Sequence, residues 1–274
     1  MNKAKVLYVS QDITPYLPET SMGVTSRYLP QGIQEKGKEI RTFMPRYGCI
    51  NERRHQLHEV IRLSGMNLVV DDTDHPLIIK VASIQSARMQ VYFIDNEEFF
   101  HRKATLTAKD GSFFEDNDER SIFFNRGVIE TAKKLGWQPD LIHCHGWFTG
   151  LMGLYIKRIY KDNPLFADAK VVISIYDDEF PATLNKNFAK KLLFDGISKQ
   201  DADAYKNPTF ANVMKAAIDI ADGVIKASPK INPDIEKHLK KAGKPVLEYQ
   251  SPDNYINAYS DFYDMILEEA QVMA

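Results

Sequence analysis

Short, continuously apolar runs constrain this chain more than any other feature. Val6-Leu7-Tyr8-Val9-Ser10, Leu141-Ile142-His143-Cys144-His145, Lys170-Val171-Val172-Ile173-Ser174-Ile175 and Gly223-Val224-Ile225-Lys226-Ala227 read as strands of a parallel sheet covered on both faces. Segments of helical spacing separate them, predicted near residues 21–36, 118–135, 147–160, 210–221, 233–242 and 252–270. Gly37 and Gly136 stand where the first two of these helices end. Glu39 to Met44 reads as a second strand stopped by Pro45, and residues 245–248 as a last one. Strand, helix and strand in repetition imply right-handed crossovers and an α/β architecture.

Residues 59–94 depart from that alternation. Val60-Ile61-Arg62-Leu63, Leu68-Val69-Val70, Leu77-Ile78-Ile79-Lys80-Val81 and Met89-Gln90-Val91-Tyr92-Phe93-Ile94 are β-rich and separated by polar clusters, which predicts an inserted meander or pair of hairpins. Lys103 to Gly111 is polar and reads as a mobile loop. Without repeats or a Pro/Gly/Ser linker, the expectation is one domain spanning residues 1–274.

Charge excludes some functions. With 35 Lys and Arg against 37 Asp and Glu, the formal charge is −2, which gives no electrostatic case for nucleic acid or an anionic membrane. Cys49 and Cys144 lie far apart with no CxxC spacing, so neither a disulfide framework nor a zinc site is expected, and a cytoplasmic protein is. Neither a signal-peptide pattern nor an apolar run near 18 residues occurs.

The richest stretch is Pro139 to Leu151: a buried strand ending in His143 and His145, broken at Gly146, then continued by Trp147. Ligands in open α/β sheets sit outside the carboxyl ends of the strands, so chemistry is expected here. His143 and His145 share one face of the strand. A metal would need a third ligand, so the expectation is a hydrogen-bonded pair with His145 facing a cleft, and no metal or cofactor. Trp147 and Phe148 have two readings, stacking on a sugar or packing against the sheet. Tyr176-Asp177-Asp178-Glu179-Phe180 follows the next strand, its carboxylates read either as acid/base groups, cation ligands or acceptors for sugar hydroxyls, or as a solvated acidic loop or caps of the next helix. Arg46, Arg53 and Arg54 read as a small anion site or a solvated turn, and Asp116 as a helix cap or a ligand.

In order along the chain, several words resemble the N-terminal, acceptor-side domain of bacterial glycogen and starch synthases, glycosyltransferases of the GT-B architecture. Val6 through Pro15 resembles that family's first strand and loop. Tyr28-Leu29-Pro30 and Met44-Pro45-Arg46-Tyr47 resemble its "ALP" and "LPRY". Asp116-Asn117 with Arg120 resembles "DNxxRF", and Asp140 to Trp147 resembles "DVVHAHDW". Ala221-Asp222-Gly223-Val224 with Ser228-Pro229 resembles "ADxVTxVSP". The resemblance implies a Rossmann-like parallel sheet with helices on both faces, one half of a GT-B fold. It also implies a link to glucosyl transfer from a nucleotide sugar, ADP-glucose in that family, to an α-glucan. Residues 143, 145, 147, 176 and 177 (His143, His145, Trp147, Tyr176, Asp177) are the expected substrate-binding set.

The sequence departs from the family where charge matters. The family's Lys-Thr-Gly-Gly-Leu loop falls on Pro18-Glu19-Thr20-Ser21-Met22, so a cation and two glycines that would approach a diphosphate are absent. Gly146 stands at the Asp of "HAHDW", Tyr176 at a His and Asp177 at an Asn. No counterpart of the family's C-terminal nucleotide-sugar domain is recognised in these residues. Two expectations follow: a donor half supplied by a separate polypeptide, or a non-catalytic glucan-binding or regulatory homologue. Uncovered apolar surface would favour a homodimer or a partner.

Overall fold

The computed structural model describes residues 3–180 and 183–272. Its strands are β1 (Lys5–Ser10), β2 (Glu39–Pro45), β3 (His58–Glu59), β4 (Met66–Val70), β5 (Thr73–Ile84), β6 (Met89–Asp95), β7 (Leu141–His145), β8 (Lys170–Ile175), β9 (Gly223–Lys226) and β10 (Val246–Leu247). They form one sheet in the order β10-β9-β8-β7-β1-β2-β6-β5-β3, with β4 paired to β5. From β10 to β6 every pairing is parallel, and β5 turns the direction. The parallel α/β expectation holds, and the sheet has the Rossmann-like layout of one half of a GT-B fold.

Chain order runs outward from β1 through β2 to β6, then jumps back to place β7 on the other side of β1. The switch point therefore lies between β1 and β7, where Ser10 pairs with His145. Ligand crevices of doubly wound sheets open at such points.

The β-rich stretch is only partly an insertion. β6 joins the main sheet, parallel to β2, and β5 extends it antiparallel. Only β3 and β4 are added at the edge, and residues 60–64 form a turn in place of the expected strand, with the amides of Leu63 and Ser64 bonded to the carbonyl of Val60. β4, β5 and β6 form the expected antiparallel meander, while periodicity does not encode that β6 also pairs with β2 in the main sheet.

A second correction concerns residues 147–160. They form no continuous α-helix. A 3₁₀ turn (Trp147–Thr149), an α turn (Met152–Leu154) and a π turn (Tyr155–Ile159) follow one another. Close packing accompanies this path. A side chain at Gly153 would lie 3.2 Å from Ile220, on the helix Phe210–Ile220 that packs over this segment.

The helix Tyr255–Val272 returns to the sheet and lies against the helix Ser21–Glu35 on one side and β9 on the other. A Cβ on Gly32 would stand 2.5 Å from Ile256, and one on Gly223 would meet Ile266 and Phe262 at about the same closeness, 2.9 and 3.0 Å. Lys38 pairs with Asp264 at 2.8 Å along the same seam. Among the described residues, no helix is long and apolar enough to cross a membrane.

Candidate functional site

The carboxyl ends of β1, β7, β8 and β9 meet at the switch point. Gly146 ends β7 with φ 85° and ψ 161°, a backbone region open in practice only to glycine. Its carbonyl accepts both the Thr149 amide (3.2 Å) and the Thr149 hydroxyl (2.8 Å), which turns the chain sharply away from the sheet. Gln11, just past β1, donates its amide to the His145 carbonyl at 3.2 Å and accepts the Phe148 amide on Oε1 at 3.2 Å. This ties the two central strand ends together.

His143 and His145 are fully buried. His143 has both ring nitrogens engaged, Nδ1 with the Tyr263 hydroxyl at 2.5 Å and Nε2 with the Ser174 hydroxyl at 2.7 Å. His145 Nδ1 meets the Tyr176 hydroxyl at 2.8 Å, while its Nε2 is buried without a partner. Burial, and then the neighbouring His145, hold His143 well below the usual imidazole range. Burial alone pushes His145 down to about 3. Both rings are therefore neutral at pH 7. With His143 fully committed, the pair offers no two free nitrogens to an ion, and no group of three His, Cys, Asp or Glu able to hold a metal occurs among the described residues.

The expected substrate-binding residues do not share one surface. His143, His145, Trp147 and Tyr176 lie beneath it, and only Asp177 is exposed. His145 points to Tyr176 and not to an open cleft. Trp147 is 2% exposed and packs edge-on against Phe180 at 4.8 Å, the packing alternative of its two readings. The acidic run is split. The Asp177 amide donates to Ser228 Oγ at 3.1 Å with its carboxylate outward, Glu179 accepts from Asn232 at 3.0 Å, and Asp178 turns inward. One Asp178 oxygen faces the Trp147 amide at 3.4 Å and the other is buried without a partner. Burial raises this carboxyl to about 7. It is the acidic group beside Gly146 suited to give or take a proton near neutral pH.

Other motif residues serve the scaffold. Asp116 does not cap its helix but pairs with Arg102. Buried Arg120 donates to the Phe99 carbonyl (2.8 Å) and Asn117 (2.6 Å). Arg46 is engaged by Glu52 and Asp95, which Lys80 also bridges, so it is not a free anion site. The polar segment before the helix Asn117–Lys134 folds back on itself, with Thr107 bridged to Phe113, and Phe113 stacks on Phe180 at 5.0 Å.

The residues that complete the site and were not singled out in the sequence are Gln11, Met22, Ser174 and Tyr263, with Tyr259, whose ring lies 5.9 Å from that of His143. Tyr255, Tyr259 and Tyr263 recur every fourth residue, a stripe along one helix face that was the available signal.

A family model described as the starch synthase catalytic domain matches residues 5–245. The chain belongs to this family. It is 38% identical over 195 residues to a glycogen synthase of Chlorobium limicola, covering 71% of this chain and 40% of that one. It is 34% identical over 254 residues to a glycogen synthase of Chlorobaculum tepidum, covering 87% of this chain and 51% of that one. The chain thus spans about half or less of the relatives it matches. Its fold is similar to the catalytic domain of Starch Synthase IV from Arabidopsis thaliana bound to ADP and acarbose. That likeness has a TM-score of 0.73 at 18% identity and covers 93% of this chain and 53% of that one.

Against this family the Gly146 departure has a structural consequence. A Cβ built there would lie 2.8 Å from Met22 Cε and 3.0 Å from Gln11 Oε1. A side chain here would need the ends of Met22 and Gln11 to move aside, and Met22 stands at the Leu of the Lys-Thr-Gly-Gly-Leu loop.

Proposed function

We propose that this chain is the acceptor-side half of a glycogen or starch synthase-type glucosyltransferase, that it engages an α-glucan, and that it does not handle the nucleotide-sugar donor by itself. One observation carries the reading: at the switch point of the sheet, Gly146 replaces the family's Asp in a backbone conformation (φ 85°) that disfavours a side chain, with the ends of Met22 and Gln11 packed beside it. Pro18 reinforces it, standing where the family has a Lys, and exposed Glu19 beside it adds negative charge. A diphosphate leaving group needs cationic or N–H stabilisation, which these residues do not concentrate. Transfer from ADP-glucose, the family's donor, would then require a donor domain outside these residues, in this reading on a separate polypeptide. A cytoplasmic setting accords with a free, exposed Cys49 and a free, buried Cys144. Residues 1–274 act as one domain in this reading.

A second reading, a non-catalytic glucan-binding or regulatory homologue, is favoured by the burial of His143 and His145. Calorimetric titration with maltoheptaose and with ADP-glucose tests the shared core of both readings, with maltoheptaose binding and ADP-glucose not binding as the expected result. Micromolar ADP-glucose binding by the chain alone overturns it. Glucose transfer to glucan on adding a donor-domain polypeptide selects the first reading, and its absence across candidate partners selects the second.

A further inference from the structure

The edge of the sheet opposite the switch point holds two adjoining cavities, of 340 and 500 Å³. They lie between the last turns of the helix Ser21–Glu35, the start of β2 and the turn that joins β5 to β6. Gln34 and Arg88 line both, so the two run together as one groove. Each volume falls in the range of small-molecule sites, about 300–1,000 Å³. Arg27 ties the walls together from behind. Its guanidinium donates to Gln31 Oε1 on the helix at 2.9 Å and to Ser86 Oγ on the turn at 3.3 Å.

Charge sets the chemistry of this groove. Arg41 and Arg88 line it, and Arg27 stands behind it, 7% exposed. Among the described residues, the only carboxylate in ion-pair reach of these three cations is Glu39, at a loose 3.8 Å from Arg41. Glu39 already accepts the Trp137 indole N–H at 2.6 Å. Arg41 otherwise donates to the Ile40 carbonyl at 3.0 Å, and its Nε has no partner. A buried cation without a counter-charge is costly, and an oxyanion in the groove would supply one. Glu35 at the rim and the negative end of the helix oppose it. The helix end is weakened, because the carbonyls of Gly32, Ile33 and Gln34 accept the amides of Lys36, Lys38 and Gly37. The Gln31 amide holds the Glu35 carboxylate at 2.8 Å. Three guanidiniums outweigh that one carboxylate, and the amides of Gln34, Gln85 and Gln90 stand beside them.

We infer that this groove binds a phosphate group at Arg41 and Arg88, free or as the monoester of a small hydroxylated molecule. Guanidinium forks match phosphate oxygens, and side-chain amides donate to and accept from the hydroxyls of an ester. The groove lies across the sheet from the switch point, so it is separate from the crevice of the glucan reading and stands without it. The full chain is titrated calorimetrically with glycerol 1-phosphate, with inorganic phosphate and with glycerol. Both phosphates are expected to bind and glycerol is not. An ester bound roughly fivefold or more tighter than inorganic phosphate assigns the groove to an ester, and a smaller difference assigns it to free phosphate.

Arg88 has φ 50°, a left-handed conformation that glycine adopts without strain, so Arg88→Gly removes the guanidinium without opposing the fold. It should weaken phosphate binding roughly tenfold or more at an unchanged melting temperature. Gln34→Glu, close to isosteric and on the wall of both cavities, should do the same. Glu35→Gln at the exposed rim should instead strengthen binding, by roughly threefold. Opposite signs for these two changes follow from charge and not from shape. Binding of neither phosphate nor its ester, glycerol binding as tight as that of the ester, or unchanged affinity in both Arg88→Gly and Gln34→Glu overturns the site.

Discussion

The imidazole rings of His143 and His145 lie 3.9 Å apart, centroid to centroid, on one face of a fully buried strand. Two bases that close, in so little water, are stable only while neutral, and each leans on a tyrosine hydroxyl from another element. The pair anchors the last helix and the turn after β8 onto the central strand.

Stability should therefore fall with acid. An unfolded histidine takes a proton near pH 6.5, but His145 resists until about 3 and His143 also titrates well below 6.5. Between those limits the unfolded chain binds more protons, so the histidine contribution is complete above about pH 6.5 and is lost as pH falls, at up to ~1.4 kcal/mol per unit for each ring. Asp178 and Asp118, raised by burial to about 7 and about 6, act in the opposite sense. The measurement is thus a difference: urea midpoints at pH 7 and pH 5 for wild type and His145→Gln, with the variant showing the smaller acid loss.

Restoring the family residue should harm the fold without restoring chemistry. Gly146→Asp places a side chain in a glycine-only backbone region and against Met22 and Gln11. Strain of about 1–3 kcal/mol is expected, visible as a lower melting temperature. ADP-glucose binding should not appear in the calorimeter. Gly146→Asp with Met22→Ala should recover part of the stability, because one of the two clashing groups is gone.

Tyr263→Phe removes a hydroxyl that the buried His143 Nδ1 has as its partner. Leaving that nitrogen unpaired should cost about 1–3 kcal/mol. Hydrogen exchange should show the loss concentrated in the last helix and β7, while Tyr249→Phe, at an exposed ring, leaves both unchanged.

Lys191 sits between Asp118 (2.7 Å) and Glu119 (2.6 Å), with its side chain and that of Asp118 buried. Lys191→Met strands the Asp118 charge, and a loss of about 3–5 kcal/mol is expected at pH 8. Because burial already raises Asp118 to about 6, the loss should shrink as pH falls toward 5, where the carboxyl takes up a proton. Pairing Lys191→Met with Asp118→Leu should restore most of the stability at both pH values. Denaturant titrations of the three proteins check each point.

Much of the scaffold was legible in the sequence by itself. β1, β7, β8 and β9 stand where continuous apolar runs stand, because a strand covered on both faces needs nothing but apolar side chains in succession. Gly37 and Gly136 follow their helices with positive φ, as a left-handed helix end requires. The ordered words place the chain in its family, and Pro18, Glu19 and Gly146 mark where its sequence departs from the family's words.

Tertiary structure decided the rest, because those features depend on residues far apart in the chain. The adjacency of β6 and β2 is a pairing across some fifty positions, which no local period encodes. The burial of His143 and His145 depends on Tyr263, 120 residues later, and on Tyr176 and Ser174 beyond the next crossover. An alternating His-x-His on a strand reads the same whether the face looks into a cleft or under a helix. Only the packing of the C-terminal helix chose between them.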